Sequence, residues 1–376
     1  MDIICKAELC TGCAACMNRC PKQCIKMKED HHMGHLHPVI DHNRCVDCGA
    51  CQKVCPVNSS LDLQKPLTAY AGWDKCEEEY QSSTSGGAAS AFARYIIRQG
   101  GVVYGCAILP GIEVKHVRVD NEDDIRLLKG SKYVQSTIGD TYRKVREDLR
   151  QDRKVLFIGT PCQVAGVKSF IGKQMSCNLY TVDLICHGTP SLSFLRKHIL
   201  KKTKGVVPDE IFFRKGSCLL LLLLLGGKEI YRSSLLEQRY EDIYYNAFFD
   251  GFSYRESCNE CRYAQASRVS DVTIGDFWGL EENLPLEHPH GCSVLLPTTG
   301  KGEELVEGIR SEFYLFKRSV REAVNGNDQL RHPKKKNFRI KFFRKILPMF
   351  GIANSYRFCM LDKIIRRKLR IIIKGK

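Results

Sequence analysis

The sequence predicts a protein that mixes α/β and α+β structure in three parts: a small cysteine-rich domain, a larger body and a basic helical tail. Ten of the 20 cysteines lie within the first 55 of 376 residues. Strand-like and helix-like runs alternate from 67 to 205, which favours stacked layers of strands and helices. Residues 332–376 contain 15 Lys or Arg and one acid, and so carry most of the chain's net charge of +16. With 43% apolar and 27% charged residues, wholesale disorder is excluded.

The first 60 residues contain one cysteine motif twice. The spacing C-x2-C-x2-C-x3-C-P begins at Cys10 and recurs 35 residues later, beginning at Cys45. Three thiolates at three-residue steps can hold three corners of a 4Fe-4S cubane, and the fourth cysteine ligates the other cluster. Structural zinc is the alternative, but zinc sites do not need the third cysteine and the Cys-Pro of each half. We therefore predict a two-cluster ferredoxin-like domain over 1–60 with two crossed ligand sets, Cys10, Cys13, Cys16 and Cys55 for one cluster and Cys45, Cys48, Cys51 and Cys20 for the other.

The same region indicates a cellular compartment. The first residues show no basic segment followed by an apolar core, so we expect no export signal. In a reducing compartment dense cysteines bind metal more often than they form disulfides. We therefore expect a cytoplasmic protein. Five histidines between the two motifs could bind metal, but their irregular spacing favours an exposed loop.

The body is predicted to continue in two halves, 67–205 and 206–330, before the tail at 332–376. Three apolar runs predict buried strands, at 101–108, 154–158 and 179–185. Three further runs predict helices, at 88–98, 140–150 and 192–202. The second half ends in a predicted strand–helix–strand unit over 292–316. Seven consecutive leucines, 219–225, are too few to cross a bilayer, and the two glycines behind them predict the first strand of a hairpin.

Three junctions in the body have the residues of anion-binding helix starts, at Ser82–Gly87, Gly159–Cys162 and Gly188–Ser191. Free backbone N–H groups and the helix dipole at such starts suit phosphate. Ordinary helix caps have the same residues, so each junction alone is a weak signal. Three of them behind an iron–sulfur domain favour a phosphate-bearing redox cofactor.

Four cysteines outside the first domain are candidates for a third 4Fe-4S cluster. Cys258 and Cys261 form a pair, and Cys162 and Cys186 follow predicted strands. In open α/β sheets the carboxyl ends of the strands face the ligand crevice, so all four thiols could meet there. The alternative is that Cys162 and Cys186 are buried small residues.

Five runs in the body are long and occur in a fixed order, at Ser83–Gly87, Gly130–Ser136, Gly159–Gln163, Asp183–Gly188 and Ser270–Gly279. They resemble signature motifs of the family of coenzyme F420 hydrogenase/dehydrogenase beta subunits over about 68–330. The resemblance implies an FAD-containing mixed α/β domain and an iron–sulfur flavoprotein oxidoreductase. Such a protein passes electrons between a hydride carrier or small substrate, a deazaflavin among them, FAD and 4Fe-4S clusters. Ferredoxin-fused members suggest an anaerobic host, and the leucine run departs from the family pattern.

The resemblance also implies roles for five residues. Ser85, Gly86 and Gly87 would hold the flavin phosphate or ribitol, and Thr160 would make a second contact. Lys132 would act in catalysis by stabilising negative charge on the reduced flavin, unless it is simply a surface lysine. A redox protein or a small hydride carrier is the expected partner. The alternative is an electron-transfer or scaffold protein of a polysaccharide system with no substrate of its own.

The tail is predicted to form two basic amphipathic helices. Its first apolar face is expected to contain Phe338, Phe342, Phe343, Ile346, Leu347 and Phe350, with Lys341, Arg344 and Lys345 opposite. Nucleic acid would account for the charge, but a purely electrostatic arm does not need so many Phe and Ile residues. Helices packed against the body are another alternative. We therefore expect peripheral binding to the anionic inner face of the cell membrane, and no nucleic acid.

Overall fold

The computed structural model describes residues 3–60, 62–216, 218–236, 239–280 and 284–374. Its strands are β1 (Ile25–Glu29), β2 (Leu36–Ile40), β3 (Ala69–Asp74), β4 (Val102–Leu109), β5 (Glu113–Val119), β6 (Val155–Gly159), β7 (Leu179–Leu184), β8 (Glu210–Lys215), β9 (Cys218–Leu225), β10 (Lys228–Ser234), β11 (Val272–Asp276), β12 (Ser293–Pro297) and β13 (Phe313–Arg318). Its α-helices are α1 (Ala15–Arg19), α2 (Ala50–Lys53), α3 (Glu77–Gln81), α4 (Ala88–Arg98), α5 (Thr141–Arg150), α6 (Pro161–Ile171), α7 (Leu192–Lys202), α8 (Ile243–Asp250), α9 (Gly300–Gly308), α10 (Val320–Gly326) and α11 (Phe338–Lys374). The predicted mixed fold is confirmed, with a cysteine-rich N-terminal lobe in front of the body.

A mixed eight-stranded sheet forms the centre of the body, in the order β13-β3-β12-β11-β7-β6-β4-β5. The strands β4, β6, β7 and β11 are parallel to one another, and the outer pairs are antiparallel. The six predicted strands and helices of the first half all form, with ends that differ from the prediction by no more than one residue. The strand–helix–strand unit β12-α9-β13 also forms as predicted.

The central strands are buried on both faces because helices cover each side of the sheet. Val155 and Phe157 of β6 contact α5 and α6 on one side, while Leu156 and Ile158 face α4 and α9 on the other. This alternation follows from the two-residue period of a strand. Since β6, β7 and β11 are parallel, their carboxyl ends meet at one edge of the sheet, where ligands bind in such folds.

The leucine run forms β9, the middle strand of an antiparallel sheet with the order β10-β9-β8. The hairpin with β10 across Gly226 and Gly227 is confirmed. Leu220, Leu221, Leu222 and Leu223 are all buried, so this short sheet is covered on both faces. Leu221 and Leu223 join the largest hydrophobic core of the molecule.

The tail forms α11, which is broken at Gly351, a residue with φ of +67°. The prediction that Phe343 and Leu347 belong to an outward apolar face is wrong, because both are buried in the core of the body. Arg344 does not lie on an exposed opposite face either, since its guanidinium donates to the carbonyl oxygen of Tyr254. The first half of α11 therefore packs against the body.

The outward surface of α11 carries other apolar side chains. Phe358, Leu361, Ile365, Leu369 and Ile372 are exposed and repeat at steps of three, four, four and three, so they lie along one face of the second half. Among the described residues no helix is long and apolar enough to cross a membrane.

Candidate functional site

The eight motif cysteines of the N-terminal lobe lie in two groups. Electrostatic interactions connect Cys10, Cys13, Cys16 and Cys55, and these four side chains are buried. Cys51 interacts in the same way with Cys20 and Cys48. Cys45 lies near Cys24 and lines one small pocket together with Cys20, Cys48 and Cys51. Each group thus combines three cysteines of one motif with the last cysteine of the other. This is the arrangement that two crossed clusters require.

Two further cysteines lie against these groups. The thiol of Cys5 interacts with Cys10 and Cys55, and the Sγ atoms of Cys24 and Cys20 are 3.3 Å apart. Both cysteines fall outside the repeated spacing, so the sequence predicts no ligand role for them. The only feature of the sequence that indicated their position beside the motif cysteines is that they lie in the same cysteine-rich segment.

Four cysteines of the body also meet at one place. Cys162 lies in the first turn of α6, and Cys186 follows β7. Cys258 lies within a 3-10 helix at Glu256–Glu260, and Cys261 directly follows that helix. Burial, followed by interactions with the other three thiols, raises the pKa of Cys162 well above its usual value. Burial and proximity to Cys258 likewise raise the pKa of Cys186 to about 12.

This third group fits a 4Fe-4S cluster by its donor set, because four cysteines are the usual ligands of such a cluster. Among the described residues no three His, Cys, Asp or Glu side chains converge on the position of a single metal ion. A cubane binds each cysteine through a different iron, so its ligands surround a larger volume. The thiols therefore fit a cluster without meeting at one point.

The first N-terminal group and the third group are neighbours across α6. A Cβ atom added at Gly166 would lie 3.2 Å from the Sγ atom of Cys13 and 2.7 Å from the hydroxyl of Tyr142. Both Tyr142 and Tyr263 interact electrostatically with Cys13 and Cys162. The two buried tyrosines thus lie between the two groups of thiols. Nothing in the local sequence around these tyrosines indicated this position.

A cavity of about 310 Å³ opens at the carboxyl edge of the central sheet. Its wall includes Ser85, Gly87, Thr160 and Lys132 of the predicted flavin residues, together with Cys186 of the third cysteine group. Gly86 lies in the same turn behind the wall, where a Cβ atom would be 2.1 Å from the carbonyl oxygen of Gly72. The volume is within the range of roughly 300–1,000 Å³ that is usual for ligand pockets.

The three predicted anion-binding junctions differ in which of their hydrogen-bonding groups already have a partner. At α6 the N–H of Thr160 donates to Oε1 of Gln163 at 3.1 Å, so this helix start is capped. At α7 the N–H of Phe194 donates to Oγ of Ser191 at 3.1 Å. At α4 no side chain caps the first turn, and the buried Oγ of Ser85 has no hydrogen-bond partner. Of the three, the junction at α4 is the one that combines an uncapped first turn with an unpartnered hydroxyl.

Lys132 lies in the cavity wall and not on the outer surface. Its ammonium donates to the carbonyl oxygens of Leu128 at 2.8 Å and Lys129 at 2.6 Å. Burial lowers the pKa of Lys132 to about 8. A positive charge held there by carbonyl groups alone would be stabilised by an anionic ligand.

A buried polar chain in the cavity wall was not predicted from the sequence. Since the carbonyl oxygen of Ile158 only accepts, Nε2 of His116 donates to it at 3.1 Å, and Nδ1 then accepts from Oγ of Ser136 at 3.1 Å. Nε2 of Gln163 donates to that Oγ at 2.9 Å. Burial lowers the pKa of His116 to about 4, so the ring is neutral. Only the fold brings these residues together, so no local motif pointed to them.

Comparison with known proteins agrees with this architecture. Residues 152–322 match the family model that describes the C terminus of the beta subunit of coenzyme F420 hydrogenase/dehydrogenase. Residues 9–59 match the 4Fe-4S dicluster domain. The chain therefore belongs to the class of iron–sulfur electron-transfer proteins. Within that class it combines an N-terminal 4Fe-4S dicluster domain with a domain of the family found at the C terminus of coenzyme F420 hydrogenase/dehydrogenase beta subunits.

Individual relatives match separate parts of the chain. One subunit of the F(420)H(2) dehydrogenase of Methanosarcina mazei is 20% identical over 191 residues, which are 48% of this chain and 53% of the relative. The chain thus spans about half the length of that relative. A ferredoxin of Saccharopolyspora erythraea is 35% identical over 77 residues, 20% of this chain and 67% of the relative.

One solved structure is also similar, from the F420-reducing [NiFe] hydrogenase complex of Methanosarcina barkeri. It has a TM-score of 0.48 and 18% sequence identity. The match covers 72% of this chain and 94% of that chain.

Proposed function

We propose that the chain is an iron–sulfur flavoprotein oxidoreductase that moves electrons between FAD in the cavity and three 4Fe-4S clusters. The observation that carries this proposal is the wall of the cavity, which joins the uncapped Ser85 turn and Lys132 to Cys186 of the third cysteine group. Bound there, FAD would supply the exchange between a two-electron hydride and single electrons. The ligands of the clusters would be the three groups of cysteines described above.

The residues of the cavity have distinct roles in this proposal. The backbone N–H groups at the start of α4 and the unpartnered hydroxyl of Ser85 would donate to phosphate or ribitol oxygens. Gly86 and Gly87 allow the close turn, since Gly87 has φ of +87° and a Cβ at Gly86 would collide with backbone. Lys132 would face the anionic edge of the reduced flavin ring, and Thr160 would contact it from the start of α6.

The order of the clusters follows from their neighbours. The third group borders the cavity through Cys186 and the first N-terminal group through Tyr142 and Tyr263. The first group contains Cys13 and is called the inner group here. The other N-terminal group, called the outer group, includes Cys48, which is exposed. We therefore propose that electrons pass between cavity, third cluster, inner cluster and outer cluster, in either direction.

The surface at the outer group suits a redox partner protein. Val46, beside Cys45, and Ile3 are exposed apolar side chains on this lobe. An exposed ligand next to apolar side chains allows a partner's redox centre to approach closely. The small substrate or hydride carrier would enter at the cavity, where the half-exposed Trp278 lies in the wall.

Anaerobic purification with cofactor extraction tests this function. We expect about 12 irons per chain, as three cubanes require, and one flavin released by heat. Reduction by a hydride donor such as a reduced deazaflavin should bleach the flavin and then reduce the clusters. Protein with iron but no flavin would contradict the flavoprotein, and would favour the alternative of an electron-transfer or scaffold protein without its own substrate.

We also propose that α11 attaches the protein to an anionic membrane surface. The outward face at Phe358, Leu361, Ile365, Leu369 and Ile372 is apolar, and residues 332–376 have a net charge of +14. An apolar face flanked by basic side chains suits an interface, where each basic residue contributes about 1 kcal/mol. Both halves of α11 contribute to the core, so attachment would depend on this outward face of the second half.

Sedimentation with anionic liposomes tests the attachment. The triple variant Ile365→Asn, Leu369→Asn and Ile372→Asn removes three outward apolar side chains, and we expect most binding to be lost. The matched control, Val206→Asn with Val207→Asn, changes exposed apolar residues elsewhere on the body and should bind like the unaltered chain. Binding that is insensitive to both the triple variant and high salt would contradict a membrane role.

A further inference from the structure

Arg255 is a buried arginine with only neutral partners. It is 1% exposed and lies three residues before Cys258. Its guanidinium donates to the carbonyl oxygens of Leu36 at 2.8 Å and Cys10 at 3.3 Å. It also donates to Oε1 of Gln135 at 3.0 Å and Nε2 of His37 at 3.3 Å. Among the described residues it forms no ion pair with a carboxylate.

Arg268 shows what a compensated arginine looks like in the same protein. It is also buried, and Nη2 lies 2.9 Å from Oδ1 of Asp183, whose side chain is fully buried. Arg268 acts electrostatically on Cys186 and Cys261, but its charge is matched by an acid of its own. A buried guanidinium without such an acid is strongly unfavourable. Arg255 therefore needs another source of negative charge.

The position of Arg255 identifies that source. Its guanidinium packs on the first cysteine loop so closely that a Cβ at Gly12 would be 2.6 Å from Nη2. Its charge acts on the thiol of Cys10 and on the thiol of Cys258. The N–H of Cys258 donates to the carbonyl oxygen of Arg255 at 3.0 Å. Arg255 thus contacts the inner group and the third group at once.

On the basis of the proposed clusters, we infer that Arg255 is a counter-cation shared by the inner and third clusters and raises the reduction potential of both. Each cluster with its thiolates is anionic, and each gains one further negative charge when it accepts an electron. A fixed cation stabilises the reduced form of either cluster, since cluster potentials depend on nearby charge and hydrogen bonds. Electron transfer between the two clusters would oxidise one cluster and reduce the other by one electron, and it would require no proton. Arg255 acts as a positioning residue in this step.

Potentiometric titration of the holoprotein, followed by electron paramagnetic resonance, tests the inference. Arg255→Gln removes the charge and keeps hydrogen bonding, and we expect the midpoints of two of the three clusters to fall. The outer cluster is the internal control, and its midpoint should stay unchanged. Arg255→Lys keeps the charge and should leave all three midpoints close to those of the unaltered protein.

A second variant keeps the test informative if Arg255→Gln does not fold. Gln135→Glu is nearly isosteric and places a carboxylate where Oε1 now accepts from Arg255, so it should also lower two midpoints. Unchanged midpoints in both variants would overturn the inference, and so would an equal fall in Arg255→Lys and Arg255→Gln. Iron content separates this result from failure of the proposed function. About 8 irons in the unaltered protein would mean that the third cluster is absent, whatever the variants do.

Discussion

The two halves of the N-terminal cysteine repeat share one ligand spacing but lie in different surroundings. The inner group, with Cys10 and Cys13, packs against α6, Arg255 and two buried tyrosines. The outer group has Cys48 exposed and Cys45 half-buried. The internal repeat thus places the two groups of cysteines alike, and the docking of the lobe gives them different neighbours. We infer that this difference sets the order of the electron path, with the inner group nearer to the cavity than the outer group.

Hydrogen bonds between the first half of the repeat and the body take part in the docking. Arg143 donates to the carbonyl oxygens of Asn18 at 2.9 Å and Met17 at 3.0 Å. Nδ2 of Asn18 donates to the carbonyl oxygen of Gly139 at 2.8 Å. Such bonds fix the register of the lobe on the body without using the cluster ligands.

Among these predictions, removal of the third cysteine group should have the largest effect on the difference between the inner and outer groups. Cys258→Ser with Cys261→Ser should lower iron from about 12 to about 8 per chain and leave the two N-terminal clusters visible by electron paramagnetic resonance. Reduction of those clusters through the cavity should then slow strongly, because the inner cluster loses its neighbour. As a control, dithionite should still reduce them directly. Unchanged iron in the double variant would show that these cysteines do not bind a cluster.

A methyl group at the contact between body and inner group should have an intermediate effect. Gly166→Ala places its Cβ 2.7 Å from the Tyr142 hydroxyl and 3.2 Å from the Sγ of Cys13, so we expect about 1–3 kcal/mol of destabilisation. Gly300→Ala is the matched helical control, because a Cβ there meets nothing within 4 Å. Thermal unfolding of both holoproteins gives the comparison. Equal Tm values would show that the contact between α6 and the inner group has room for a methyl group.

The effect of Lys132 on stability depends on pH. The pKa of Lys132 is about 8 in the folded protein against 10.5 for an ordinary lysine, so the unfolded chain binds more protons between these values. The contribution of Lys132 to the stability of the flavin-free protein should therefore rise from pH 8 to pH 10.5, by about 3 kcal/mol at most.

Denaturant unfolding of Lys132→Met at several pH values measures this contribution. The difference in stability between the variant and the unaltered chain should change with pH over this range, while that of Lys115→Met, which removes an exposed lysine paired with Glu113, should not. If the pH profiles of the Lys132 variant and the unaltered chain coincide, the ammonium is more solvated than its contacts indicate.

Much of this fold could be predicted from local patterns. The predictions from short-range signals were the most successful. These signals are the cysteine spacing, the strand and helix runs of the first half, and the leucine run with its two glycines. The predicted strands, helices and hairpin all form. The surroundings of Arg255 and Tyr142 could not be predicted, because they depend on residues more than 100 positions away. The faces of α11 were mistaken at Phe343 and Leu347 because a protein core and a membrane both select apolar side chains.

The buried leucines of β9 have a consequence for how this part of the gene can vary. A one-residue slip of a strand normally exchanges its buried and exposed side chains. Within a run of identical residues that is covered on both faces, such a slip exchanges leucine for leucine. The alignment of β9 must therefore be set from its ends, by the turn at Gly226 and Gly227 and by the irregular pairings beside Tyr231 and Arg214. Loss or gain of a leucine codon would then be absorbed as a bulge at one end of the strand, with the packed interior left intact.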